Sequence, residues 1–351
     1  MSPLTPLRII MTTARLVLFV ITLLSLPVFA ADPPKPVKVF ILAGQSNMEG
    51  KAKMTLVDYQ AGRPATRDLY APFRKGDQWA SRGDVSIKFL DRKGPLTVGF
   101  GSPKCIGPEL GFGWVVGDKY DQPVLLIKTA WGGRSVYRDF RSPSAGLPPQ
   151  AVLDKQLENA KKRKPATTID EIKASYGATY RAMLEEVTTT LKDIKAHVPG
   201  YADQGYELAG LAWFQGWNDM IDDAATAEHT VNLAHMIRDI RRDLKSPNLP
   251  FVIGQMGVDG AGASPKTKRF KDAQAAVADL PEFKGNVALV KTDVFWDTDA
   301  EAVFKKGWKE NVEAWNKVGS DFPYHYLGSP KTMIAIGRAL GESMIELRGG
   351  K

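Results

Sequence analysis

The sequence predicts an α/β fold built on a mostly parallel sheet with helices on both faces. Short, continuous apolar runs alternate with amphipathic helical stretches over nearly the whole chain. A run that is apolar at every position fits a strand covered on both sides. Three of these runs stop at glycine-containing clusters of hydrogen-bonding residues, and parallel strands bring their carboxyl ends to one edge, where such clusters can meet.

The first run, Val39 to Leu42, gives way to Ala43-Gly44, where the backbone can turn without steric cost. Ser46 follows at once. At this place a serine either caps a helix or stands as a nucleophile at a strand end. Lys51 to Pro108 is rich in glycine and charge, contains one strand candidate at Val85 to Leu90, and reads as an elaborated loop over the site. Glu109 to Tyr120 sets Leu110, Trp114 and Val115 on one helical face, against the cost of Gly111, Gly113 and Gly117. Pro123 to Ala130 is the second clear strand and ends in Trp131-Gly132-Gly133-Arg134-Ser135.

Residues Tyr137 to Pro165, with Pro143, Pro148 and Pro149, read as an insertion holding a short helix near Ala151 to Lys161. Thr168 and Glu171 form a capping box that opens a long helix, stopped by Pro199-Gly200. Leu208 to Phe214 is the third strand, followed by Gln215-Gly216-Trp217-Asn218-Asp219. Then come a helix from Ala225 to Leu244, a strand from Phe251 to Met256 and a helix near Lys268 to Ala278. A strand from Val287 to Thr292, a helix from Asp299 to Val318, the segment Asp321 to His325 and a closing helix from Lys331 to Leu347 complete the pattern.

At the amino terminus, Arg8 and Arg15 precede LVLFVITLLSL, and Val28-Phe29-Ala30 supplies the small residues of a cleavage site. That apolar stretch is shorter than the roughly 20 residues of a spanning helix. Residues 1–30 are therefore read as a signal peptide cleaved after Ala30, which gives a secreted or periplasmic protein with no stable membrane insertion. Residues 31–351 are read as one domain with long insertions. Removing Arg8 and Arg15 lowers the formal net charge from +8 to +6, which is mild at this length. The cluster Lys161 to Lys164 ends at Pro165 in a polar connector and reads as a solvated loop, so no nucleic-acid partner is expected. The lone Cys105 excludes an internal disulfide framework and reads as a small buried apolar group. His229 and His235 fall on different faces of one helix and fit no zinc spacing, and His197 suits a helix carboxyl end, so neither metal nor cofactor is expected.

Ester hydrolysis needs a nucleophilic hydroxyl, a base titrating near neutrality, and donors aimed at the oxyanion of the tetrahedral intermediate. Ser46, His325 and the groups at Gly133 and Asn218 supply those parts. Ser135 is the weaker nucleophile candidate. Trp131, Trp213 and Trp217 serve either as sugar-stacking surfaces or as core. Arg134, Arg138 and Arg141 either meet an anionic or hydroxyl-rich substrate or pair with Asp139.

The ordered blocks Gly44-Gln45-Ser46-Asn47-Met48, Trp131-Gly132-Gly133, Gly216-Trp217-Asn218-Asp219 and the late His325 resemble those of the SGNH (GDSL-like) hydrolases. With Gly107-Pro108-Glu109 and Trp213-Phe214-Gln215-Gly216, they are most similar to the branch of sialate O-acetylesterases and carbohydrate esterase family six. The likeness spans Val37 to about Leu347. It implies a flavodoxin-like, three-layer α/β/α fold and a serine esterase that removes acetyl groups from carbohydrate. It makes Ser46 the nucleophile and a backbone oxyanion donor, Gly133 or alternatively Gly132 a second donor, and His325 the base. The third donor is Asn218 in the superfamily pattern and Gln215 in the sugar-esterase branch. Substrate contacts are expected from Gln45, Asn47, Trp131, Arg134 and Trp217.

Two positions depart from that branch. Trp217 stands where an acidic residue is usual, and the acid expected three residues before the histidine is replaced by Phe322. Asp321, four residues before it, is the expected orienting acid, with Asp293, Asp297 or a backbone carbonyl as alternatives. A non-catalytic glycan-binding protein on the same fold is the competing reading. A lipid or thioester hydrolase finds no long apolar stretch near the motifs.

Overall fold

The computed structural model describes residues 1–3 and 34–349, so the expected leader and its cleavage after Ala30 lie outside the described residues but for the first three. One sheet organises the rest. Its strands are β1 (Val37–Gly44), β2 (Arg82–Phe89), β3 (Arg92–Leu96), β4 (Val124–Ala130), β5 (Tyr206–Phe214), β6 (Phe251–Gln255) and β7 (Val287–Lys291). They lie in the order β7-β6-β5-β1-β4-β2-β3, and every neighbouring pair is parallel except the β2–β3 hairpin at the edge. From β1 the chain moves outward to β2 and back to β4, then crosses to β5 on the other side. The segments leaving β1 and β5 therefore diverge, which opens a crevice at their carboxyl ends.

The alternation of side chains along β1 divides the interior in two. Phe40 and Leu42 join one core with Leu126 of β4 and Phe214 of β5, covered by the helices Glu109–Lys119 and Pro330–Leu347. Val39, Ile41 and Ala43 join the other with Leu125, Ile127 and Trp213, covered by Ala178–Lys192 and Asp223–Asp243. Side chains on both faces are buried because helices cover both, and this is why the strands read as unbroken apolar runs. No helix of the described residues is long and apolar enough to cross a membrane.

Several elements differ from their expected form. The glycines that count against a helix over Glu109–Lys119 are what let it pack: a Cβ on Gly111 would lie 2.3 Å from the Ile334 carbonyl oxygen, and one on Gly337 would lie 2.0 Å from that of Pro108. The helix opened by Thr168 ends at Ser175 and restarts at Ala178, because Gly177 takes a left-handed conformation with φ +68°. The helix expected from Asp299 to Val318 is two, Thr298–Lys305 and Val312–Val318, the first capped by Asp297. Within the expected loop Lys51 to Pro108 lie the helix Met54–Ala61 and β3, which forms a hairpin with β2, the strand expected at Val85 to Leu90.

His229, on the helix Asp223–Asp243, is fully buried against Phe270, with ring centroids 4.6 Å apart. Neither ring nitrogen has a partner among the described residues, and burial pushes its pKa down to about 3. The unfolded chain takes up a proton near pH 6.5 that the folded chain refuses, so stability falls as pH drops below about 6.5. Replacing His229 with Leu should shrink the loss of unfolding free energy between pH 7 and pH 5 by about 2 kcal/mol, measured by urea denaturation at both pH values.

Candidate active site

β1 ends where it meets β5. Gly44 has φ +153°, and a Cβ there would lie 2.2 Å from the Phe214 carbonyl oxygen, so only glycine lets the two strand ends close up. The next turn of chain is the short helix Ser46–Glu49, whose capping position is Gln45 and which has no side-chain capping bond. The Ser46 hydroxyl is thus not spent as a cap. The hydroxyl accepts a long hydrogen bond from Gln45 Nε2 (3.5 Å), and the Ser46 N–H has no acceptor among the described residues.

Two amide side chains join the end of β1 to the segment after β5. Gln45 Oε1 faces the N–H groups of Gly216 (3.3 Å) and Asn218 (3.5 Å), which fixes the amide so that its Nε2 donates to Asn218 Oδ1 (3.2 Å). The Asn218 Nδ2 has no acceptor among the described residues. Gln215 differs: its Nε2 donates to the Arg134 carbonyl (3.0 Å) and to Asp219 Oδ2 (2.5 Å), which commits that group within the protein.

Asp219 is fully buried and also accepts the N–H groups of Val136 (2.8 Å) and Tyr137 (2.9 Å), tying the segment after β4 to the segment after β5. Burial raises its pKa to about 6 against the pull of these three donors. In the same β4 segment, the Trp131 N–H donates to the Gly44 carbonyl (3.3 Å), and a Cβ on Gly132 would lie 3.9 Å from that of Ser46. Gly133 takes the turn with φ +69°.

The fourth piece is the turn Pro323–Gly328, which carries His325. Asn47 Nδ2 donates to the Tyr324 carbonyl (3.2 Å), linking this turn to the residue after Ser46. Tyr326 and Leu327 hold φ values of +53° and +60°, and both the His325 and Leu327 N–H groups return to the Phe322 carbonyl. This winding brings Asp321 Oδ1 to 3.2 Å from His325 Nδ1, an ion-pair distance without the alignment of a hydrogen bond. Burial works to raise the Asp321 pKa, but His325 and the Phe322 N–H (2.7 Å) outweigh it and hold the carboxyl below its ordinary range. The alternative acids are engaged elsewhere: Asp293 pairs with Lys271, and Asp297 caps its helix and binds Ser329 (2.6 Å) and Lys331 (2.8 Å). No hydrogen bond joins Ser46 Oγ to His325.

The other expected residues divide into two groups. Gln45 and Asn47 are 1% and 3% exposed and use their amides inside the protein. Trp131 and Arg134 line a surface cavity of about 470 Å³ with Arg138 and Asp139, Arg134 lying 3.3 Å from Asp139, and Trp217 packs its ring 5.4 Å from that of Tyr324. Ser135 Oγ is taken up by Asp139 (3.0 Å) and the Arg138 N–H (3.1 Å).

Lys128 escaped the sequence reading, although a single lysine inside the apolar run PVLLIKTA is itself a signal. Its ammonium is fully buried and meets Glu109 Oε2 (2.7 Å) and the carbonyls of Glu49 and Phe100 (2.8 Å each), while Glu109 Oε1 accepts the Gly107 N–H (2.9 Å). Burial draws the Lys128 pKa down, and Glu109 beside it offsets part of that.

Comparisons with known proteins follow the same lines. The family model described as carbohydrate esterase, sialic acid-specific acetylesterase, matches residues 36–301, about three quarters of the chain. The probable carbohydrate esterase At4g34215 of Arabidopsis thaliana is 22% identical over 226 residues, 63% of this chain and 69% of that protein. Its solved structure overlaps 89% of this chain and 98% of its own, at 16% identity and a TM-score of 0.49. XAC1771, a carbohydrate acetylesterase from Xanthomonas citri, overlaps 90% of this chain and 57% of its own, at 13% identity and a TM-score of 0.50. At that identity the likeness speaks for the fold.

Removing one partner from a buried ion pair leaves the other charge without compensation. Lys128→Met should therefore cost about 3–5 kcal/mol in urea unfolding, and adding Glu109→Gln should recover part of that loss.

Proposed function

Because the chain belongs to the carbohydrate esterase family described as sialic acid-specific acetylesterases, we propose that it is an exported serine esterase that removes O-acetyl groups from sialic acid, xylan or another acetylated glycan. One observation carries the proposal. A serine hydroxyl whose proton has no acceptor among the described residues stands at the carboxyl edge of the central strand, with a free backbone N–H beside it and a histidine–carboxylate pair on the adjoining turn. Export rests on the leader of residues 1–30, and residues 31–351 form the esterase domain.

In this reading His325 takes the Ser46 proton as Oγ attacks the acetyl carbonyl. Asp321 holds the imidazole in orientation and stabilises the imidazolium. The oxyanion receives the N–H groups of Ser46 and Gly133, with Gly132 as the alternative, and the Nδ2 of Asn218. Asn218 is favoured over Gln215 as third donor because the Gln215 amide nitrogen already serves Arg134 and Asp219. Collapse expels the sugar hydroxyl, protonated by His325, and water then releases acetate from Ser46 by the same route. Gln45 and Asn47 position the site, while Trp131, Arg134 and Trp217 contact sugar. The Ser46–His325 bond forms with substrate in place, as such bonds often tighten only in the bound complex.

The missing Ser46–His325 bond is the one observation that favours a non-catalytic glycan-binding protein. An organophosphonate separates the two readings, since only an activated serine is labelled quickly. Ser46→Ala should abolish acetate release from acetylated sialic acid, xylan and algal polysaccharide alike while leaving the circular dichroism spectrum unchanged; retained hydrolysis would overturn the nucleophile. Asn218→Ala should lower kcat by about 10²–10³. Asp321→Asn should lower it by about 10²–10⁴, and a near-normal rate would place the acid elsewhere.

A further inference from the structure

A cavity of about 580 Å³ opens between the helix Met54–Ala61, the paired helices Thr298–Lys305 and Val312–Val318, and the chain leading into the His325 turn. Asp321 and Phe322 form part of its wall, whereas Ser46, Gly132 and Asn218 do not. It therefore adjoins the proposed catalytic pair on the side of the acid and is separate from the place where an acetyl group meets Ser46. Its volume lies within the roughly 300–1,000 Å³ of small-molecule sites, far more than an acetyl group fills.

Its lining combines aromatic faces with hydrogen-bonding groups. Phe322 stands against Phe304 and Trp308, with ring centroids 6.5 and 6.3 Å away, and remains 44% exposed. The side chains of Thr55 and Asn316 on the rim have no hydrogen bond within the protein among the described residues, and both residues are exposed. The aromatic surface continues toward the site: Phe322 stacks on Tyr324 at 5.5 Å and 9°, and Tyr324 lies 4.4 Å from His325 and 5.4 Å from Trp217. A pyranose ring has an apolar C–H face and a rim of hydroxyls. An aromatic floor with hydrogen-bonding side chains free at its edge matches that chemistry.

We propose that this cavity is a second carbohydrate subsite, which seats a sugar unit of a polymeric glycan beyond the unit that carries the ester, with the row Trp308, Phe322, Tyr324 and Trp217 as the path between them. The proposal rests on the carbohydrate reading of the active site, but its test is independent of turnover. Unacetylated dimers and hexamers of xylose, glucose and N-acetylglucosamine are titrated into the full chain by calorimetry, and hydrolysis of 4-nitrophenyl acetate is measured in parallel.

At least one hexamer should bind at least ten-fold more tightly than its dimer. Trp308→Ala should erase that gain, Trp308→Phe should keep most of it, and Asn316→Ala should weaken the hexamer several-fold. Equal binding of dimers and hexamers in all three series overturns the subsite, as does a folded Trp308→Ala that binds the hexamer as tightly as the parent. Should Trp308→Ala fail to fold, unchanged hexamer affinity in Asn316→Ala, a surface substitution, overturns it. Hexamer binding without ester hydrolysis sinks the esterase assignment and keeps the subsite; hydrolysis without a gain from chain length does the reverse.

Discussion

The ammonium of Lys128 is the point through which the site is braced. It projects from the middle of the sheet into a fully buried space, where an unpaired charge costs several kcal/mol, and it is compensated by Glu109 and two backbone carbonyls. Those carbonyls belong to Glu49, the last residue of the Ser46 helix, and to Phe100, in the segment that packs beside it. A helix of one turn has little stability of its own. Its carboxyl end is held by a side chain from the neighbouring strand, and Glu109 in turn fixes the Gly107 backbone. Apolar residues would fill the same space, but they could not satisfy these carbonyls.

A second buried acid performs the matching task on the other side of the crevice. Asp219 gathers two backbone N–H groups from the segment after β4 and the amide of Gln215 after β5. With Gln45 reaching from β1 to Asn218, three strand ends are tied by buried and half-buried side-chain hydrogen bonds. Networks of this kind fix geometry because each unsatisfied member would be costly. They also decide which amide is available to chemistry: the Gln215 nitrogen is consumed in holding the loops, and the Asn218 nitrogen is not.

Much of the fold was legible because the strands are covered on both faces and each of the central ones ends in a local signal. GQSNM after β1, WGG after β4 and QGWND after β5 each sit within a few residues of their strand, so sequence order alone places them on one edge. Features that depend on distant partners were not legible. Gly111 and Gly337 read as helix weaknesses until the two helices are seen to cross at backbone contact distance. β3, at the edge of the sheet, carries Arg92, Lys93, Gly94 and Pro95, which dilute the apolar signal beside the strand expected at Val85 to Leu90. The spacing of Asp321 and His325 departs from the expected three residues, and only the backbone of the intervening turn shows that four suffice to bring the side chains together.

That turn has a consequence for how the sequence can drift. Tyr326 and Leu327 both occupy left-handed backbone conformations, which cost on the order of 1–3 kcal/mol each in residues other than glycine. The Tyr326 hydroxyl anchors the turn from below, accepting the Gly257 N–H (2.7 Å) and lying 2.6 Å from Thr292 Oγ1. Glycine at either position would relax the backbone but strip a fully buried side chain from the core, a loss of about 2–5 kcal/mol that outweighs the strain. The strained turn that carries His325 is thus held by the packing of the very side chains that bear the strain, so its shape is set from the core and not by the local preference of the chain.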